Sequence, residues 1–139
     1  MKLNFNDVQG FAVPENLFQL INTELADKTT PANTFNAITL NFRDPGYSPS
    51  TGGYHPVEMR LEKKNELWQL AYITDFSFQG SPFPELVKEI DICFFTKQVF
   101  NLFCGWLQNK NAKELLGLFI ENFIEYYSMG SYQVSVSFD

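Results

Sequence analysis

In VPENLFQLINTELADK, apolar residues recur at helical spacing: Leu17, Ile21 and Leu25 stand at i, i+4 and i+8, with Phe18 beside them. Pro14 suits a first helical turn, Glu15 complements the positive end of the helix dipole, and Lys28 lies near the far end. This spacing predicts an amphipathic helix covering a core, broken by KTTPAN (28–33). From Phe35 the period drops to two. Ile38, Leu40 and Phe42 alternate with Thr39, Asn41 and Arg43, and after a loop Val57, Met59 and Leu61 alternate with Glu58, Arg60 and Glu62. Each run reads as a strand with one covered face.

KKNE (63–66) reads as a short polar reversal. The run behind it is a long third strand in which Trp68, Leu70, Tyr72, Phe76 and Phe78 share one parity. After QGSPFP (79–84), Leu86, Ile90, Ile92 and Phe94 share a parity in a fourth strand. KQVFNLFCGWLQ (97–108) is apolar on both parities and reads as a buried or edge-closing strand whose start also fits a helix. Asn111 with Glu114 three residues on is a cap signal for a second helix, whose broad apolar face is Leu115, Leu116, Phe119, Ile120, Phe123, Tyr126 and Tyr127, stopped at Gly130. Tyr132, Val134, Val136 and Phe138 then alternate in a final strand.

The order helix, five strands, helix, strand lacks the alternation of crossover units. The expected architecture is α+β: a mostly antiparallel sheet of about six strands, the two helices packed on one face, the last strand returning to the sheet. With 139 residues, 45% of them apolar and fifteen phenylalanines, the chain has material for one sizeable core, and a single domain is expected.

The formal charge of −6 disfavours nucleic acid as a ligand. No window is apolar for long enough to span a membrane, and MKLNFNDVQGFAVPENLF lacks the apolar run of a secretory signal. A cytoplasmic setting fits best. Cys93 and Cys104, set among apolar neighbours, read as small buried side chains with free thiols. His55, the one histidine, is far from both, so no metal centre and no cofactor is expected.

The densest cluster of turn formers is DPGYSPSTGGYHP (44–56). Tyr47 and Tyr54 lie in it with no evident cover, and tyrosines on a stiff loop are frequent interface residues. His55, Glu58 and Arg60 follow; together they could supply a base, an orienting carboxylate and an anion clamp. The alternative is structural: Pro56 holds His55 extended where the strand starts. Asp75 and Asp91 read as solvent-face carboxylates, each pairing with Arg60 or Lys88. Phosphate-cradling, nucleophile-elbow and Cys-x-x-Cys signatures are absent, and no catalytic residue is assigned.

GGYHPVEMRLE, with LAYITDFSF, PELVKEIDICF and ELLGLFIENFIEYYSMGSYQVSVSF, resembles a bacterial family of conserved hypothetical proteins, a domain of unknown function found in gammaproteobacteria and on genomic islands. Gly52 to Glu58 is the most specific part. That family's fold is similar to that of the mitochondrial acidic matrix protein, a multi-ligand protein also described as a receptor for the globular heads of a complement component. The resemblance implies an antiparallel sheet with terminal helices and a ring-like oligomer, and brings no catalytic residues. The leading expectation is a non-enzymatic protein-binding or adaptor protein with a protein partner, its candidate surface being Tyr47, Tyr54, His55, Glu58 and Arg60. The alternative is a small-ligand binder or enzyme using His55, Glu58 and Arg60; a third reading is a homo-oligomer built through 97–108 or the last strand.

Overall fold

A computed structural model describes residues 1–29 and 35–139. The elements are α1 (Glu15–Leu25), β1 (Ala37–Arg43), β2 (Val57–Lys64), β3 (Leu67–Gln79), β4 (Glu85–Cys93), β5 (Gln98–Asn101), β6 (Gly105–Leu107), α2 (Asn109–Ser128) and β7 (Gln133–Phe138). The strands form one antiparallel sheet in the order β6-β5-β4-β3-β2-β1-β7, so the last strand returns beside the first. Both helices contribute to the core on one face of the sheet; Leu17, Ile21 and Leu25 of α1 and Leu116, Ile120 and Phe123 of α2 are buried with Ile38, Leu40, Phe42, Met59, Leu61 and Leu70. The architecture is the expected α+β fold. The break after α1 falls partly on residues 30–33, which lie outside the described residues.

Seven strands replace the expected six because 97–108 is a hairpin rather than one strand. Asn101 turns the chain by accepting the Phe103 and Cys104 amides on its side chain at 2.9 and 3.2 Å, and Gly105 follows at φ +81°. Its apolar residues are therefore not all inside: Phe103 is 70% exposed and Trp106 61%. Cys104 lies on the turn and is exposed, against the expectation of a buried thiol, while Cys93 is half-buried. The boundaries of the helices also differ. α1 stops at Leu25, short of Lys28, and α2 begins before Asn111, with Gln108 as its extended flank and no side-chain cap.

Turn chemistry fixes the β2–β3 register. Asn65 and Glu66 both take positive φ, 52° and 66°, the conformation of a two-residue hairpin whose twist matches its strands. From there the inward set is Trp68 and Leu70, until a bulge at Ala71 changes the parity. Arg60 pairs with Tyr72 but Leu61 with Leu70, leaving Ala71 as the extra residue. Beyond it Ile73, Asp75 and Ser77 point into the helix-covered face and are buried, while Tyr72, Phe76 and Phe78 lie on the other face, half-exposed. The single-parity expectation for Trp68 through Phe78 thus fails at Ala71. β4 repeats the device: Asp75 pairs with Ile90 and Phe76 with Lys88, leaving Glu89 extra, and Leu86 ends exposed rather than inward.

Candidate functional site

The two bulges place the carboxylates. Asp75, read from alternation as a solvent-face residue, is only 7% exposed and lies opposite Val57 on the covered face. It pairs with neither Arg60 nor Lys88; its partner is His55, whose Nδ1 stands 3.0 and 3.3 Å from the two carboxylate oxygens. Glu89, released from pairing by the second bulge, reaches the same imidazole, with Oε2 3.9 Å from Nδ1. Asp91 stays on the open face, accepting the Thr74 hydroxyl at 2.7 Å with Lys88 at 3.7 Å.

The loop 44–56 holds His55 in place. Asp44 accepts the amide of Gly46 at 2.9 Å on one oxygen and that of Tyr54 at 3.0 Å on the other, tying both limbs of the loop together. Gly53, at φ +132°, passes so close that a Cβ would stand 2.8 Å from that Asp44 oxygen and 3.0 Å from the Tyr47 Cα. Pro56 accepts the Phe76 amide at 3.0 Å, docking the start of β2 beside β3. Both tyrosines are packed against neighbours: Tyr47 stacks on Phe78 at 5.2 Å and flanks His55 at 5.3 Å, and Tyr54 lies on Tyr126 at 4.5 Å.

The five residues singled out in the sequence do not share one surface. Tyr54 and His55 lie on the helix side, with Tyr47 backing the imidazole. Glu58 and Arg60 project from the open face of β2, where Glu58 accepts the Tyr72 hydroxyl and Arg60 pairs with Glu62 at 3.1 Å and Asp139 at 3.2 Å. Burial, with Glu58 beside it, pushes the Tyr72 hydroxyl up to about 12. The sheet thus separates His55 from Glu58 and Arg60. Asp75 and Glu89 take their place.

Between this cluster and α2 opens a cleft of about 390 Å³. Leu115, Phe119, Asn122 and Tyr126 face it from α2 at spacings of four, three and four residues, one helical stripe. The adjacent stripe, Ala112, Leu116, Ile120 and Phe123, is buried in the core. The apolar face read as one in the sequence thus serves both core and cleft, with Phe123 buried in the first and lining the second. Among the described residues no lysine or arginine lines the cleft; its polar groups are Asp75, Glu89, His55, Asn122 and the tyrosines Tyr54, Tyr126 and Tyr132.

The hydrogen bond to Asp75 raises the His55 pKa above the ordinary imidazole value, against burial, and the charges of Asp75 and Glu89 act in the same sense. Burial raises the Asp75 pKa, offset in part by His55. Burial, aided by the negative charge of Asp75, likewise raises Tyr132, which stays a neutral hydroxyl. With Asp75 ionised, its oxygens only accept, so Nδ1 donates to it and Nε2 is the nitrogen free to exchange a proton. A His–Asp dyad of this kind can move a proton, but among the described residues the lining offers no serine, threonine or cysteine nucleophile. The donor atoms of His55, Asp75 and Glu89 lie within 4.8 Å of one another, a set able to hold a divalent cation.

Nothing in the sequence pointed to Asp75 or Glu89 as partners of His55. The trace left by the first bulge is the parity change from Leu70 to Ile73 across Ala71; Glu89, beside the apolar Ile90, carries none.

An α+β sheet bearing two helices on one face and this cleft defines the class, and the sequence supplies the family. The chain belongs to the family described as protein of unknown function DUF2787, whose profile matches residues 15–137. The structure is similar to that of the hypothetical protein VC0508 from the Vibrio cholerae VSP-II pathogenicity island, with a TM-score of 0.89 and 32% identity over 99% of this chain and 100% of that one. It is also similar to the conserved hypothetical protein VC1805 from pathogenicity island VPI-2 of Vibrio cholerae O1 biovar eltor, at a TM-score of 0.77 and 29% identity over 94% and 98% of the two chains. The latter is described as sharing structural homology with the human P32 protein. No curated protein matches the sequence. Among the described residues, no helix is long and apolar enough to cross a membrane.

Proposed function

We propose that the protein is a non-enzymatic binding protein that takes its ligand into the cleft between α2 and the 44–56 loop. The observation that carries this reading is the convergence of His55, Asp75 and Glu89 at one end of an aromatic-walled cavity of about 390 Å³. Cavities of this size, mostly apolar with a few convergent polar groups, are the usual form of a small-molecule site. Among the described residues the lining holds no side-chain nucleophile, which favours binding over acyl transfer. The test is a thermal-shift screen of the purified chain beside Phe119→Ala and His55→Gln. A ligand whose stabilisation disappears in both variants supports the cleft; ligands that stabilise all three proteins equally count against it.

A second reading, docking of a protein partner, draws on a different region. Phe103 and Trp106 stand exposed on the β5–β6 hairpin at the sheet edge, and exposed aromatic residues are typical anchors at interfaces. Crosslinking and pull-down from the native host, run beside a Phe103→Ser, Trp106→Ser double variant, tests it, with the mass by light scattering reporting whether the partner is a second copy. A partner retained by the double variant removes this edge as the interface.

A further inference from the structure

The charge and shape of the cleft narrow its occupant. Among the described residues its formal charges come from Asp75, Glu89 and the imidazole alone. When His55 is protonated it neutralises Asp75, to which Nδ1 is bonded through both oxygens. Glu89 is left. Its side chain is only 20% exposed, its ion-pair contact with Nδ1 is long at 3.9 Å, and among the described residues no hydrogen-bond donor reaches its carboxylate. A partly shielded carboxylate that no protein donor engages keeps its acceptor sites for a ligand that brings one.

The remaining walls decide what kind of donor. An anion would face two carboxylates with no lysine or arginine to receive it. A bare metal ion would use the acidic end alone and leave the walls without a function, and Nδ1 already points its proton at Asp75. The aromatic walls, by contrast, suit a cation on an organic body: Tyr54 and Tyr126 pack at 4.5 Å along one side, Phe119 and Phe123 stack at 6.3 Å on α2, and Tyr132 approaches Phe123 at 5.4 Å. Aromatic faces attract ammonium and guanidinium groups, most strongly where water is excluded. Leu115 and Leu118 complete an apolar rim for the rest of the molecule.

We infer that the cleft selects an organic cation, a primary ammonium or guanidinium group on an apolar body, with Glu89 as its counter-ion and Tyr54, Phe119 and Tyr126 as its walls. This rests on the cleft being the binding site. Such a group is carried by a free amine or by a lysine or arginine of a polypeptide, and the same chemistry serves both.

The experiment uses three probes of one shape and different charge, 2-phenylethylamine, 2-phenylethanol and phenylacetate, titrated into the isotopically labelled chain and followed by amide and tyrosine ring resonances. The expected order is amine first, the alcohol about tenfold weaker or more, and no binding of the acid. Glu89→Gln, a half-buried position whose spectrum reports that the fold is kept, is expected to weaken the amine about tenfold or more while leaving the alcohol unchanged. Phe119→Leu weakens both. A short internal lysine or arginine peptide forms the second arm; tighter binding than the amine assigns the cation to a polypeptide, weaker binding to a free amine. Equal binding of amine and alcohol, or an amine affinity untouched by Glu89→Gln, overturns the charge assignment and leaves the cleft reading standing. Stabilisation by manganese or zinc chloride that persists in Phe119→Leu, with no amine binding, assigns the acidic end to a metal and overturns the inference. Unmoved resonances with every probe overturn the inference and the cleft reading together.

Discussion

Strands β1 and β2 lie beside β3 and β4 in the same sheet, yet the two pairs are organised differently. β1 and β2 pair residue for residue from Ala37–Glu62 to Phe42–Val57 with no irregularity, and every inward position is a buried apolar side chain. β3 slips by one residue against β2 at Ala71, and β4 slips by one against β3 at Glu89. The regular pair turns only apolar side chains inward; the irregular pair adds to its core residues, Leu70, Ile73 and Ile92 among them, the two carboxylates of the cleft. In a half-buried sheet a polar residue can thus reach the covered face through a local change of register, which shifts one segment and leaves the flanking apolar pattern intact.

The most severe way to break this contrast is to put β3 out of phase beyond its bulge. Inserting an alanine after Ala71, with the one-residue bulge kept, turns Ile73, Asp75 and Ser77 outward and forces Tyr72, Phe76 and Phe78 into the helix-covered face. The expected outcome is loss of the cooperative unfolding transition, read by near-ultraviolet circular dichroism and thermal melting. Retention of a wild-type transition would mean that a wider bulge absorbs the added residue and keeps the native register.

Within the regular region the largest single effect is expected at Phe42, fully buried and packed edge-on against Phe123 at 5.0 Å. Phe42→Ala removes a ring from a closed core and is expected to cost about 3–5 kcal/mol in denaturant unfolding. A cost under about 1 kcal/mol would show that the core collapses around the gap.

In the irregular region the sharper signal is pH. His55 and Asp75 both bind protons more tightly in the folded chain than in the unfolded one, so the folded state holds more protons and stability falls as pH rises. The His55 part is fully present below the ordinary imidazole value of about 6.5 and is lost as pH climbs through the raised folded value. Melting temperature should therefore decline from pH 6 toward pH 8, and the slope should flatten in His55→Gln. In Asp75→Asn the His55 pKa, followed through its Hε1 resonance, should fall; an unchanged value would show that Glu89 sets it instead.

The smallest effect belongs to the open face. Arg60 pairs with Glu62 and Asp139, all of them partly exposed, and such pairs contribute about 0–1 kcal/mol, reduced by salt. Arg60→Ala should leave the unfolding midpoint nearly unchanged and leave any cleft ligand's affinity unaltered, since the sheet lies between.

Much of the fold was legible in the sequence because most elements keep one period throughout. β1, β2 and β7 alternate cleanly, and α2 shows helical spacing over its whole length. The 97–108 segment was not, because Val99, Phe100, Leu102, Phe103, Trp106 and Leu107 occupy both parities, and the hairpin is specified instead by Asn101 and Gly105. For the candidate site, the loop and His55 stood out by composition. Their partners did not, since alternation assumes one register per strand and both carboxylates are placed by departures from it. Glu58 and Arg60, near His55 in sequence, were drawn into its group by proximity along the chain, while Pro56 ends the loop and β2 sends both to the opposite face.

The extra residue at Ala71 also bears on how members of this family are compared with one another. A relative lacking that residue would keep every strand and helix and, with a regular β3, still turn the same side chains to the same faces, one position earlier in its sequence. Matching such a chain position by position without a gap at Ala71 would set outward aromatics against inward aliphatics, and a carboxylate of the cleft against a surface residue. A search for this site among relatives should therefore test for the acidic position at either spacing from Trp68, with the bulge residue or without it.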